Sequence, residues 1–323
     1  MAKVEERTAL SREQLLHFLH EMLAIRHFEQ QVEEQYMAGE IPGFVHLAIG
    51  QEAVAVGACQ ALEPADVITS THRSHAHTLA KGTPPREVMA EMYGKREGCS
   101  KGFGGSMHMY DLERGNIGSN AVVGGGLGIA AGAAFAFKQR GEPRIALAFL
   151  GDGATSIGMF YESLNLAQLW KVPAVFLCEN NRWAESAPYW QVVPIEDLTD
   201  RVVAFGMRSM RVDGQDVEAV YRATLEAAEF ARSGDGPVFL LAETFRLAPH
   251  NVGDQQKYRD KAEFEQSKAT QDPIVKLREK LELSDEEYER MDSEAREIVI
   301  DAVEFARNGT DPSPENLFDD VYA

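Results

Sequence analysis

The chain has 323 residues, with 32 lysines and arginines against 51 aspartates and glutamates, and the resulting net charge of −19 argues against nucleic acid and anionic membranes as partners. Its 44% hydrophobic content is enough for a substantial core. Three cysteines, Cys59, Cys99 and Cys178, form neither a metal-ligand spacing nor a disulfide framework, which excludes a disulfide scaffold and points to a reducing compartment.

Met1–Arg7 has neither a signal-peptide core nor the acid-poor character of a transit sequence, so a cytoplasmic protein of bacterial type is expected. Ser11-Arg12-Glu13-Gln14 reads as a capping box that opens a long helix with Leu15, Leu19, Met22, Ile25 and Val32 on its apolar side. Gly39 ends it, which makes residues 1–40 an N-terminal helical extension. Ile41 to Gly57 leads into a second helix. Asp66 to Ser70 is a strand that delivers Thr71-His72-Arg73-Ser74-His75 to its end.

Gly115 to Phe137 carries no charge, but it is rich in glycine and alanine and holds two asparagines and a serine. A buried helix whose small residues, Gly124 to Gly132, allow close packing is expected there, not a membrane span. The same stretch contains Gly126-Leu127-Gly128-Ile129-Ala130-Ala131, a fit to G-x-G-x-x-A with Asp152 about twenty residues past its end. That pattern raises an alternative, a nicotinamide-dinucleotide-dependent oxidoreductase. It needs a good strand before the first glycine, and Asn120-Ala121-Val122-Val123 is poor support for one.

Residues 144–150 and 173–178 are short, nearly uninterrupted apolar segments, the signature of strands buried on both faces of a parallel sheet. Between them Ile157, Phe160, Tyr161 and Leu164 recur at helical spacing, so the unit reads as strand, helix, strand. Gly151-Asp152-Gly153 follows the first strand, and Asn180-Asn181 follows the second, with Asn181 29 positions after Asp152. Parallel strands end at one sheet edge, where open α/β sheets bind ligands, so the two side chains should meet there. An aspartate and an amide oxygen are hard ligands suited to Mg²⁺ or Ca²⁺, and two are too few for a protein cage. Mg²⁺ completes its shell with phosphate oxygens and water, which implies a phosphorylated cofactor. The helix after Gly153 would offer it free N–H groups.

Further on, Met207 to Val212 and Val238 to Phe245 predict two more strands around a helix from about Asp216 to Ser233. The second brings Pro249-His250-Asn251-Val252-Gly253-Asp254 to the edge that holds Asp152. From Pro273 the chain is helical, with a capping box at Ser284 and Glu287, so 273–323 forms a C-terminal extension. The fold class is α/β, an open, mainly parallel sheet with helices on both faces and helical extensions at both ends, in one domain of residues 1–323.

Gly-Asp-Gly with Asn-Asn at this distance resembles the thiamine diphosphate motif. Lys101 to His108, Gly43 to Leu47, Gly50-Gln51-Glu52-Ala53 and Glu179 to Trp183 are similar to the alpha subunit of the decarboxylating component of 2-oxo acid dehydrogenase complexes, and the match runs from about residue 11 to Tyr322. The resemblance implies thiamine diphosphate and Mg as cofactors and a thiamine diphosphate-binding fold. It also implies cleavage of acetoin or a 2-oxo acid such as pyruvate, with acyl transfer to a lipoyl-bearing acyltransferase. Two alpha and two beta chains would assemble, because the family keeps a required glutamate on the beta subunit.

The resemblance assigns Asp152, Asn181 and the carbonyl of Trp183 to the metal. Arg73, Gly151, Gly153, Ala154 and His250 go to the diphosphate end, and Ala121 and Val123 to the aminopyrimidine. Phe44, His46 and His72 are expected around the reactive carbon, with His250 protonatable beside the diphosphate. The family usually shows Gly-His-Ser where this chain has Pro249-His250-Asn251. His72 in place of a tyrosine, Gly39 to Phe44 and Trp183 to Ser186 look more like the acetoin branch.

Overall fold

The computed structural model describes residues 10–318, so Met1–Arg7 and the Asp319–Tyr322 end of the family-like run lie outside the described residues. The first capping box forms as read: Ser11 Oγ accepts from the Gln14 N–H at 3.2 Å, and Gln14 Oε1 accepts from the Ser11 N–H at 2.9 Å. Helix α1 (Arg12–Met37) buries Leu15, Leu19, Met22, Ile25 and Val32. There follow α2 (Glu52–Ala61), β1 (Val67–Ser70), α3 (Ser74–Ala80), α4 (Pro85–Met92), β2 (Asn116–Ser119), α5 (Gly125–Arg140) and β3 (Ala146–Gly151). Next come α6 (Gly158–Trp170), β4 (Ala174–Asn180), a two-residue ribbon of β5 (Trp183–Ala184) and β6 (Ala187–Pro188), and the single turns α7 (Tyr189–Val192) and α8 (Asp200–Val203). The chain closes with β7 (Arg208–Asp213), α9 (Val217–Arg232), β8 (Val238–Glu243), α10 (Lys261–Thr270), α11 (Pro273–Leu281) and α12 (Asp285–Arg307).

Six strands pair in the order β2-β1-β3-β4-β8-β7, every neighbouring pair parallel. Both faces are covered, which is why the central strands read as unbroken apolar runs. Leu147, Phe149, Val175, Leu177 and Leu240 point into a core shared with α1, α2, α9 and α11. Their alternates Ala146, Ala148, Leu150, Phe176 and Leu241 pack against α5 and α6 on the other face. A third cluster joins α1, α4 and α12, so the two helical extensions lie against each other.

Two features depart from the sequence reading. Edge strand β2 was not foreseen, because Asn116-Ile117-Gly118-Ser119 has neither length nor apolar alternation. Helix α5 is buried on one side only: Leu127, Ala130, Ala131, Ala134 and Phe137 face the sheet, while Gly128, Ile129, Gly132 and Phe135 are exposed. Among the described residues no helix is long and apolar enough to cross a membrane.

Candidate active site

The order of the sheet creates the site. From β1 the chain crosses to β2 at the edge, whereas from β3 it proceeds the other way to β4, so the connections after β1 and β3 diverge and leave a crevice at their carboxyl ends. A cavity of about 430 Å³ opens there, lined by Thr71, His72 and Arg73 from the end of β1 and by Gly151, Asp152, Gly153 and Ala154 from the end of β3. Asn181 and Trp183 enter beyond β4, and Arg246 and His250 beyond β8.

Asp152 is 1% exposed, and its Oδ2 has no hydrogen-bond partner among the described residues. Burial raises its pKa to about 6, opposed by backbone N–H groups, and only secondarily by the charge of Arg246. A desolvated carboxylate oxygen without a donor is an energetic liability that a bound cation removes. The expected α-helix after Gly153 starts later. Asp152–Ser156 forms a single 3-10 turn and α6 begins only at Gly158, because Ile157 is extended.

The two asparagines divide their work. Asn180 Nδ2 donates to Glu243 at 2.9 Å and its Oδ1 accepts from the Arg182 N–H, closing the turn after β4. Asn181 faces the cavity, its Oδ1 accepting from the Trp183 N–H at 3.2 Å and its Nδ2 donating to Gln51 at 3.1 Å.

The opposite wall is a cluster of three imidazoles. The rings of His46 and His72 are 4.9 Å apart, those of His46 and His250 5.0 Å, and those of His72 and His250 5.8 Å. The loops carrying His46 and His250 are zipped together by Leu247 N–H to Ile49 carbonyl at 2.9 Å and Val252 N–H to Val45 carbonyl at 3.0 Å. Gly50, at φ +95°, lets them close: a Cβ there would lie 2.5 Å from the Phe245 carbonyl. Burial, then the charge of Arg73, lowers the pKa of His46 to about 4, of His72 to about 2 and of His250 to about 3.

Arg73 is buried and donates to the carbonyls of Leu47 at 2.5 Å and His250 at 2.8 Å; burial and Arg246 hold its pKa down to about 9. Arg246 lies across the same ring, so His250 Nδ1 faces guanidinium N–H groups at 3.2 and 3.4 Å. Nδ1 is therefore the acceptor, and the neutral ring carries its proton on Nε2. Two buried guanidiniums beside one helical turn could hold an anion.

Residues 20–315 match the family model described as the dehydrogenase E1 component. This chain belongs to the dehydrogenase E1 component family, on its alpha-subunit side. It is 41% identical over 319 residues to the alpha subunit of acetoin:2,6-dichlorophenolindophenol oxidoreductase from Bacillus subtilis, covering 98% of this chain and 96% of that one. It is likewise 41% identical over 315 residues to the pyruvate dehydrogenase E1 component subunit alpha of Rhizobium meliloti, covering 96% and 90%. The acetoin counterpart of Cupriavidus necator is 39% identical over 317 residues, covering 97% and 95%. The family implies thiamine diphosphate as cofactor.

Within this E1 alpha chain the cavity gathers His46, His72, Arg73, Ala121, Val123, Gly151, Asp152, Gly153, Ala154, Asn181, Trp183 and His250. Phe44 stands apart. It is 69% exposed and does not line the cavity, because its neighbour Val45 turns into the core and its carbonyl pairs with Val252, which sends the Phe44 side chain outward. His250 was expected to be protonatable, but burial first, and then the charges of Arg73 and Arg246, hold its pKa down. Sequence reading missed Arg246, which it left inside the connection after β8; an arginine just past the last apolar residue of a parallel strand was the available signal. The glycines of the dinucleotide-like pattern lie inside α5, past the loop Asn120–Gly124, and not in a strand-to-helix turn.

Proposed function

We propose that this chain is the alpha half of a thiamine diphosphate- and Mg-dependent enzyme that cleaves acetoin and passes the acyl group to a lipoyl-bearing acyltransferase, with 2-oxo acids such as pyruvate as the competing substrate class. The observation that carries the metal assignment is the partnerless Oδ2 of buried Asp152, at the sheet edge it shares with the Asn181 amide oxygen. The Trp183 carbonyl, in the same turn, would be the third protein ligand. When bound, thiamine diphosphate supplies a nucleophilic carbon and an electron sink for breaking the bond beside a carbonyl.

The chain's own residues then have separable tasks. Arg73 and Arg246 would take the diphosphate, with the N–H groups of Gly153 and Ala154 beside them, and Ala121 and Val123 would meet the aminopyrimidine. A diphosphate would neutralise both guanidiniums, relieving the part of the His250 pKa depression that their charge adds to burial. Among the described residues His46 Nδ1 and His72 Nε2 are buried without partners, which leaves both free to bond substrate oxygens. With Arg73 and Arg246 committed to phosphate, the described lining offers no further lysine or arginine for a substrate carboxylate.

A beta subunit would complete the site, in an assembly of two alpha and two beta chains. The exposed apolar side of α5 and α6, with Ile129, Met159, Leu166, Leu169 and Trp170, supports a partner chain there. The test is reconstitution with a beta subunit and lipoyl domain, titrating acetoin and pyruvate with and without Mg²⁺ and thiamine diphosphate. A higher kcat/KM for acetoin is expected; turnover of pyruvate alone would overturn the substrate assignment, and turnover without the cofactor would overturn the whole reading.

A further inference from the structure

Asn181 can serve a cation only through its oxygen, and a side-chain amide can rotate to present its NH₂ group instead. Behind it lies a line of buried groups with a fixed polarity. Glu179 Oε1 accepts from Gln51 Nε2 at 3.0 Å, and Gln51 Oε1 accepts from Asn181 Nδ2 at 3.1 Å. Glu179, Gln51 and Asn181 are all buried. A carboxylate offers acceptors only, so it must meet the NH₂ of Gln51. That turns the Gln51 oxygen toward Asn181, which must answer with its own NH₂. At the far end the Trp183 N–H, a donor only, takes Asn181 Oδ1 at 3.2 Å. The two amides have one consistent orientation, and it leaves the second lone pair of Asn181 Oδ1 for a cation. On the other side His77 Nε2 lies 3.5 Å from Glu179, while His77 Nδ1 meets Ser70 Oγ at 2.8 Å, which anchors the line to the end of β1.

We infer that Gln51 and Glu179 are positioning residues that set the amide polarity of Asn181 and thereby its service as an oxygen ligand. The inference rests on the metal site proposed above. Gln51 lies 130 positions from Asn181 in sequence, and neither it nor Glu179 lines the cavity.

The test uses the chain assembled with its beta subunit, with Mn²⁺ replacing Mg²⁺ in the presence of thiamine diphosphate and free Mn²⁺ followed by electron paramagnetic resonance. Gln51→Leu removes one of the two anchors of the Asn181 amide, leaving only the long bond from the Trp183 N–H, and should weaken Mn²⁺ binding about 10- to 100-fold, the range for an orienting partner behind a ligand. Glu179→Gln, nearly isosteric, loses only the acceptor-only anchor and should weaken it less. It also serves if Gln51→Leu fails to fold. The decisive comparison is in an Asn181→Asp background, where the ligand presents oxygen whichever way it turns. There Gln51→Leu should leave the Mn²⁺ affinity unchanged or tighten it, since the Gln51 oxygen would otherwise face a carboxylate.

An equal loss from Gln51→Leu in both backgrounds, or parent affinity in Gln51→Leu or, where that variant does not fold, in Glu179→Gln, overturns the positioning role and leaves the metal site standing. If the parent assembly shows no saturable Mn²⁺ binding with thiamine diphosphate, the site assignment falls and the positioning role with it.

Discussion

At Asp152 the free chain carries a buried carboxylate oxygen without a donor, an arrangement that lowers stability until a cation arrives. Asp152→Asn should therefore raise the thermal midpoint of the ligand-free chain, by about 1–3 kcal/mol of unfolding free energy. It should also abolish the further rise that Mg²⁺ and thiamine diphosphate give the parent. Differential scanning fluorimetry with and without both ligands reads the two effects, and an Asn variant that still gains the full ligand shift would remove Asp152 from the metal. The imidazole cluster makes a second residue-scale expectation, with its sign fixed by burial. Histidine in an unfolded chain titrates near 6.5, and the fold lowers His46 to about 4, His72 to about 2 and His250 to about 3. The folded state thus binds fewer protons, so stability is complete above pH 6.5 and declines as the pH falls toward the folded values. Between pH 7 and pH 5, His72→Gln should lose about 1–2 kcal/mol less than the parent, less than the full linkage value because water reaches part of the cavity. Parallel urea midpoints for the two proteins across that interval would show the ring to be solvated.

At the scale of elements, the stretch Lys101–His108 that carries the family resemblance owes its shape to a buried carboxylate. Glu91, on α4, accepts the N–H groups of Ser100 and Gly102 on one oxygen at 2.8 Å each, and those of Gly104 and Gly105 on the other at 2.7 and 3.0 Å. Glu91→Gln exchanges half of those acceptors for donors, so it should destabilise the chain by about 2–3 kcal/mol and expose the loop to rapid amide exchange. Unchanged exchange over residues 100–107 would show that the loop holds itself. The segment includes Ser106, whose Oγ meets His75 Nε2 at 2.8 Å while His75 Nδ1 meets Glu29 at 2.9 Å. This acid-histidine-serine line is buried and away from the cavity lining, and it ties α1 and α3 to the loop instead of activating a nucleophile. Local signals made much of this legible: the capping boxes of α1 and α12 and the apolar runs of β3 and β4 were read within a few residues. Strand β2 and helices α3 and α4 were not, because their short, polar sequences take their form from the packed neighbours, and α10 was not because its polar sequence carries no apolar stripe. The meeting of Asp152 and Asn181 at one cavity was legible because strand-helix-strand geometry converts a spacing into proximity. Arg246, Gln51 and Glu91 were not, since each acts through partners that only the tertiary fold brings near.

On the scale of the whole molecule, the sequence predicts a buried helix with small residues for close packing, and the side of α5 that the fold leaves exposed has a consequence. Ile129 and Phe135 on α5 lie beside Met159, Leu166, Leu169 and Trp170 on α6, with the Phe135 and Trp170 rings in tilted contact at 4.9 Å between centroids, so two adjacent helices of an otherwise acidic chain share an apolar surface. Leu169 is 70% exposed, an arrangement that a stable complex would bury. Gly128 and Gly132 run along this side, and a Cβ at Gly132 would meet nothing within 4 Å. Gly132→Leu therefore separates fold from assembly. In the isolated chain the new side chain fits, and replacing a helical glycine should add up to about 1 kcal/mol to stability. In the assembly the same side chain would hold a partner helix away from a surface that glycine lets it approach closely. The expected outcome is a higher thermal midpoint for the chain alone, together with loss of the two-alpha, two-beta species by sedimentation and loss of turnover with the beta subunit. If the variant assembles and turns over as the parent does, α5 and α6 do not form the contact with the beta subunit, and the partner must cover another part of the cavity mouth.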